Sequence, residues 1–172
     1  MAGRALTAST VAAEYRISEL DYVRAMQLFG RPTARQRLAY AASALVLAGL
    51  VLFAGPLVAG MATGGLIGGG AGYLIVRRLI SPALARRHYR RYKAMHDPFT
   101  VELAAEGVRF RTPDATGLLP WDKMLKWRQD ADYVLIYPMP RLFHIVPKAV
   151  AGQGFDVQAL TDRLRAELGE PV

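Results

Sequence analysis

The stretch LAYAASALVLAGLVLFAGPLVAGMATGGLIGGGAGYLIV, Leu38–Val76, contains no Asp, Glu, Lys or Arg. As one helix rising about 1.5 Å per residue it would be nearly twice as long as a hydrocarbon core of about 30 Å. Gly55-Pro56 interrupts it, because proline has no amide hydrogen for a helical bond and glycine permits a reversal. Two arms result, Leu38–Ala54 and Leu57–Val76, each near the length of one crossing. Neither arm has the polar stripe of a helix in a soluble bundle. The pattern predicts a transmembrane helical hairpin with almost no outer loop.

The flanks orient it. Arg31, Arg35 and Arg37 precede the hairpin, and Arg77, Arg78, Arg86, Arg87, Arg90, Arg91 and Lys93 follow it. No carboxylate occurs between Asp21 and Asp97. Basic residues at both ends of an even number of spans place both termini in the cytoplasm. The chain has 172 residues and a net charge of +8, but half of its 22 Lys and Arg lie in this acid-free span. Topology accounts for them, so no nucleic-acid partner is expected. Cysteine is absent, which excludes disulfides, thiolate metal sites and cysteine nucleophiles. The first arm starts too far from Met1 to be a secretory signal, and no cleavage is expected.

Four parts are expected: an N-terminal strand and amphipathic helix over residues 1–37, the hairpin over 38–80, a basic juxtamembrane helix over 81–97, and a β-rich domain over 98–172. Met1–Thr10 is small and polar, with no fixed structure expected. Val11–Ile17 reads as a short strand. Ser18 with Asp21 forms a capping-box variant opening a helix Glu19–Phe29, whose Tyr22, Val23, Met26 and Phe29 share one face. Gly30-Arg31-Pro32 ends it.

Gly60, Gly64, Gly68 and Gly72 recur every four residues, lining one helix face where another backbone can approach closely. Ala41, Ala44, Ala48 and Gly49 of the first arm are small enough to meet it. The face serves packing within the hairpin, homo-oligomerisation, or a partner helix in a membrane complex. A conducting pore is not expected, since no ionisable group lies at membrane depth. Ser81-Pro82 reads as an N-cap and first helical position. In the helix it opens, Leu84, His88, Tyr89, Tyr92 and Met95 fall on one side, and Arg86, Arg87, Arg90, Arg91 and Lys93 on the other. Such a segment either lies on anionic lipid or continues the positive flank as a stalk.

From Phe99 the period changes to that of strands. Phe99–Leu103 and Val108–Thr112 alternate around a turn at Glu106-Gly107. Leu118–Trp121 is a third strand and Leu125–Gln129 a fourth, unless Trp121–Lys126 is a helical turn. Tyr133–Tyr137 is an apolar central strand, Leu142–Val146 another, and Phe155–Leu168 a closing helix. Together they predict a small, strongly bent antiparallel sheet capped by a helix.

The run LLPWDKMLKWRQDADYVLIYPMPRLFHIVPKAV, Leu118–Val150, resembles the C-terminal region of the YcxB-like family of bacterial membrane proteins. Leu119-Pro120-Trp121, Trp127, the strands Tyr133–Tyr137 and Phe143–Val146, Pro147-Lys148 and the order of parts carry the resemblance. It implies an α+β membrane protein of the bacterial inner membrane, with a pleckstrin-homology-like cytoplasmic domain on a two-span anchor and no catalytic residues.

No catalytic constellation is found. His88, His96 and His144 are scattered without the convergent spacing of metal ligands, and no metal or cofactor is expected. Asp114, Asp122, Asp130 and Asp132 fall at turns, where they bond nearby backbone. Trp121 and Trp127 suit a sheet core or membrane anchors. The expected role is a non-enzymatic membrane protein whose domain binds a protein or anionic headgroup, or an accessory subunit of a larger membrane complex. Arg86, Arg87, Arg90, Arg91 and Lys93 are the expected lipid contacts, and Trp121, Trp127 and Lys148 an interaction surface.

Overall fold

The computed structural model describes residues 11–172; the stretch Met1–Thr10 lies outside them. The chain divides into two compact units, one of residues up to Asp21 together with Tyr92–Val172, the other Tyr22–Arg91.

The second unit is helical. Most of α1 (Glu19–Phe29) belongs to it, followed by α2 (Ala34–Phe53) and α3 (Pro56–Ile75). The predicted box at the start of α1 is present: the Asp21 amide donates to Ser18 Oγ and the Ser18 amide to Asp21 Oδ2. Thr33 and Gln36 form a second box that opens α2. The reversal between α2 and α3 needs no left-handed residue. Ala54 and Gly55 are both extended (φ −93° and −65°), as the residue before a proline must be, and Pro56 is the first helical residue. Both helices are long and apolar enough to cross a membrane. Their large side chains are bare, with Leu38 71%, Phe53 90% and Leu57 79% exposed.

Beyond α3 the sequence expectation needs correction. Ser81-Pro82 does not start a new helix. The helix continues through a π-helical turn at Val76–Ile80 into α4 (Ser81–Arg91), with the Ser81 amide donating to the Val76 carbonyl. A proline inside an α-helix collides with the carbonyl four residues back, and the wider turn just before it relieves that collision. The helix ends at Arg91, and Lys93–His96 form a separate 3-10 turn. Tyr92, Lys93 and Met95 are therefore not on the amphipathic helix.

Among the described residues, the first unit holds seven strands in two antiparallel sheets. β1 (Ala13–Tyr15), β2 (Phe99–Ala104), β3 (Gly107–Arg111) and β4 (Thr116–Pro120) form one in that order; β5 (Lys126–Gln129), β6 (Tyr133–Met139) and β7 (Leu142–Pro147) form the other. The single bent sheet expected from sequence is thus divided. Pro120 cannot donate to a ladder and the 3-10 turn Trp121–Lys123 carries the chain away. Gly107 is not a turn residue: Ala105 and Glu106 make the turn, and Gly107 pairs with both Ala104 and Pro120. A Cβ there would collide with the Leu119 carbonyl oxygen, so the close approach of β4 requires glycine.

The sheets face each other. The Tyr15 hydroxyl donates to the Ile145 carbonyl (2.8 Å), and the Phe110 and His144 rings stack at 4.2 Å. β6 is the central strand, with Val134 to Tyr137 fully buried. Helix α5 (Val157–Leu168), capped by Asp156, adds Leu160 and Leu164 to the core.

Candidate functional site

The expected interaction surface comes apart in three dimensions. Trp127 in β5 has no exposed surface, and its indole N–H donates to the Gly169 carbonyl at 2.8 Å. Trp121 is 7% exposed; its N–H donates to the Ala105 carbonyl and Arg163 lies 5.7 Å over its ring. Both indoles tie the strands and the C-terminal segment together, so neither offers surface to a partner. The physical reason is the size of the indole: a large apolar ring with one donor is best placed inside, provided the donor finds a carbonyl.

Lys148 alone of the three reaches open space. Its Nζ donates to Gln129 Oε1 at 2.9 Å, beside a cleft of about 400 Å³ that Phe155, Asp156, Gln158 and Thr161 also line. The cleft sits at the start of α5, where an anion would be favoured. The Asp156 carboxylate already accepts from the Ala159 amide there. With its cation engaged and its helix end capped, this cleft is poorly suited to a phosphate.

A smaller cleft of about 270 Å³ opens beside Phe99, Phe110, Leu118 and His144. Burial lowers the His144 pKa from its ordinary value, keeping the imidazole neutral against Phe110. Thr112 supplies the one hydroxyl among the residues that line this cleft, and it is engaged with Ala115, donating to its carbonyl and accepting from its amide. Beside it in the sheet, burial pushes the Tyr137 phenol up to about 12, partly offset by the Arg128 charge. Arg128 itself is 6% exposed, a burial that nothing in its sequence position signals.

On the helical unit, Arg86, Arg87, Arg90 and Arg91 are exposed along α4, while Ala85 is buried and Tyr89 meets Tyr22 of α1 at 6.0 Å. Lys93 is exposed in the turn beyond. Gly60, Gly64, Gly68 and Gly72 do not pack against α2: a Cβ at any of them would meet nothing within 4 Å. Ala62 is buried instead, and a Cβ at Gly65 would lie 3.9 Å from the Leu47 side chain of α2. Higher up, Tyr40 and Tyr73 approach to 6.5 Å and Arg77 donates to the Tyr73 hydroxyl. The sequence reading did not single out these tyrosines. Their comparable distance from Gly55 along the two arms is the signal that would have paired them.

No curated protein and no solved structure matches this chain. A family model does match, that of the YcxB-like protein family, from Leu103 in β2 to Asp162 in α5. The run Leu118–Val150 that carried the resemblance lies within it, whereas the apolar hairpin and β1 lie outside. The match covers about a third of the chain, and over residues 103–162 the chain is similar to the YcxB-like protein family.

Proposed function

We propose that this chain is a non-enzymatic protein of the bacterial cytoplasmic membrane. Its α2–α3 hairpin crosses the bilayer, and its seven-stranded unit, a pleckstrin-homology-like domain, stands at the cytoplasmic face to bind a protein or anionic headgroups. One observation carries this reading. β1 precedes the hairpin, β2 follows it, and the two are hydrogen-bonded neighbours with Ala13 opposite Val101. A chain that crosses the membrane and returns to the same sheet has both ends on one side. The basic flanks make that side cytoplasmic. Four strands, three strands and a closing helix support the pleckstrin-homology-like assignment, and the bare leucines and phenylalanine of the hairpin support insertion in lipid.

The arginines of α4 act at a distance in this reading. A rise of about 1.5 Å per residue puts Arg77 about 32 Å and Arg86 about 45 Å from Pro56 along one continuous helix. An upright helix then holds Arg77 at the headgroups and Arg86 to Arg91 roughly 8–16 Å above them. At about 8–10 Å, a Debye length, anionic lipid still attracts such a collar without direct phosphate contact.

Reporter tags placed at residues 1 and 172 test the topology. Both should be cytoplasmic in intact cells; tags on opposite sides would overturn the proposal. A second reading, an accessory subunit of a membrane complex or a homo-oligomer, is favoured by the outward glycine face of α3, where Gly60, Gly64, Gly68 and Gly72 leave room for another helix.

A further inference from the structure

We infer that the groove between α2 and α3 binds one anionic phospholipid of the cytoplasmic leaflet. The groove has a volume of about 580 Å³ and runs from Arg37 and Tyr73 at one end to Leu47 and Gly65 at the other. Its chemistry is graded along its length. The mouth is lined by Tyr40, Tyr73 and Arg37, whose Nε donates to the Pro32 carbonyl at 3.2 Å and leaves the rest of the guanidinium to face a headgroup. Arg77 reaches the same place, donating to the Tyr73 hydroxyl at 3.0 Å with its guanidinium 6.0 Å from that ring's centre. Below the mouth the walls are Ala44, Leu47, Leu66 and glycine backbone.

That gradient fits an amphiphile rather than a small anion or a uniformly apolar helix. The ten helical steps of α2 from Arg37 to Leu47 cover about 15 Å, which is half of a hydrocarbon core of about 30 Å. The groove is therefore one leaflet deep, with its cations at headgroup level. No carboxylate lies between Asp21 and Asp97 to oppose a phosphate. Basic pockets between membrane helices on the cytoplasmic side are the usual form of a headgroup site. The hydrophobic floor takes an acyl chain because glycines hold it open: a Cβ at Gly69 would meet nothing within 4 Å.

The inference rests on the insertion of the hairpin in a membrane, but not on what the β-domain binds. It is tested by native mass spectrometry of the full chain in mild detergent, offered phosphatidylglycerol or phosphatidylcholine of identical acyl chains. One phosphatidylglycerol should be retained per chain, in preference by about thirtyfold, the effect of two interfacial arginines. The double variant Arg37→Gln, Arg77→Gln should reduce that preference to roughly one- to twofold. Gly69→Leu, which fills the groove without a clash, should abolish retention of both lipids with helicity unchanged by circular dichroism. Equal retention of the two lipids by the unmodified chain would overturn the inference. So would full retention in Gly69→Leu, displacement of the lipid by inorganic phosphate, or occupation of the groove by a second chain. The terminal tags are read separately, so a failed lipid test with both tags cytoplasmic overturns the groove and leaves the topology standing.

Discussion

Ala13 and Val101 lie opposite each other in one antiparallel ladder, both without exposed surface, although the whole helical hairpin separates them in the chain. The first strand of the β-domain is therefore contributed from the far end of the hairpin. An excised fragment of residues 98–172 would lack β1 and bare the β2 edge, a template for aggregation. We predict that this fragment elutes as aggregate in size-exclusion chromatography, and that fusing residues 11–17 to it through a flexible linker restores a monomer. A monomeric, fully folded fragment without β1 would contradict the role given to that strand.

Gly107 is held by space, since its own φ is not positive. Gly107→Ala drives a methyl into the Leu119 backbone and should lower stability by about 1–3 kcal/mol, the usual cost of overpacking. Urea unfolding of the full chain in detergent, followed by tryptophan fluorescence, measures it.

Trp127→Phe removes the indole donor to Gly169 and shrinks a side chain that has no exposed surface. A loss of roughly 2 kcal/mol is expected from the bond and the lost contacts. The same unfolding assay reads the loss. Binding of any partner at saturating native protein should be unchanged, because the ring lies inside.

His144 sets an acid limb. Its folded pKa lies below the ordinary 6.5 because burial disfavours the charged imidazole. Below 6.5 the unfolded chain takes up the proton first, so stability is full above that value and falls as pH drops through the lowered folded pKa. His144→Phe keeps a ring against Phe110 and removes the titration. Its stability should stay flatter across this window than that of the unmodified chain, as read by thermal melts in a pH series.

Gly64→Leu with Gly68→Leu fills the outer face of α3, where nothing in the hairpin is within 4 Å. If that face joins two chains, the detergent-corrected mass by light scattering should fall to that of one chain with helicity kept. A mass that is unchanged would assign the face to lipid.

Some of this was legible in the residue order alone. The two apolar rods, their break at Pro56 and their basic flanks are set by features within a few residues of each other, and the structure places helices at Ala34–Phe53 and Pro56–Ile75 accordingly. The run Tyr133–Tyr137 announced a central strand because it is apolar on both faces. The reading through Ser81-Pro82 failed because a proline's usual place at a helix start was weighed without the π turn that accommodates it.

By itself, then, the sequence determined the character of each segment, since helix, strand and lipid compatibility follow from local hydrogen bonding and apolar periodicity. Only the tertiary structure decided which segments meet: that β1 closes onto β2, that Trp121 and Trp127 turn inward, and that Gly60, Gly64, Gly68 and Gly72 of α3 face away from α2. These are contacts between residues distant in the chain, and their outcome depends on space and on available hydrogen-bond partners that no single stretch encodes.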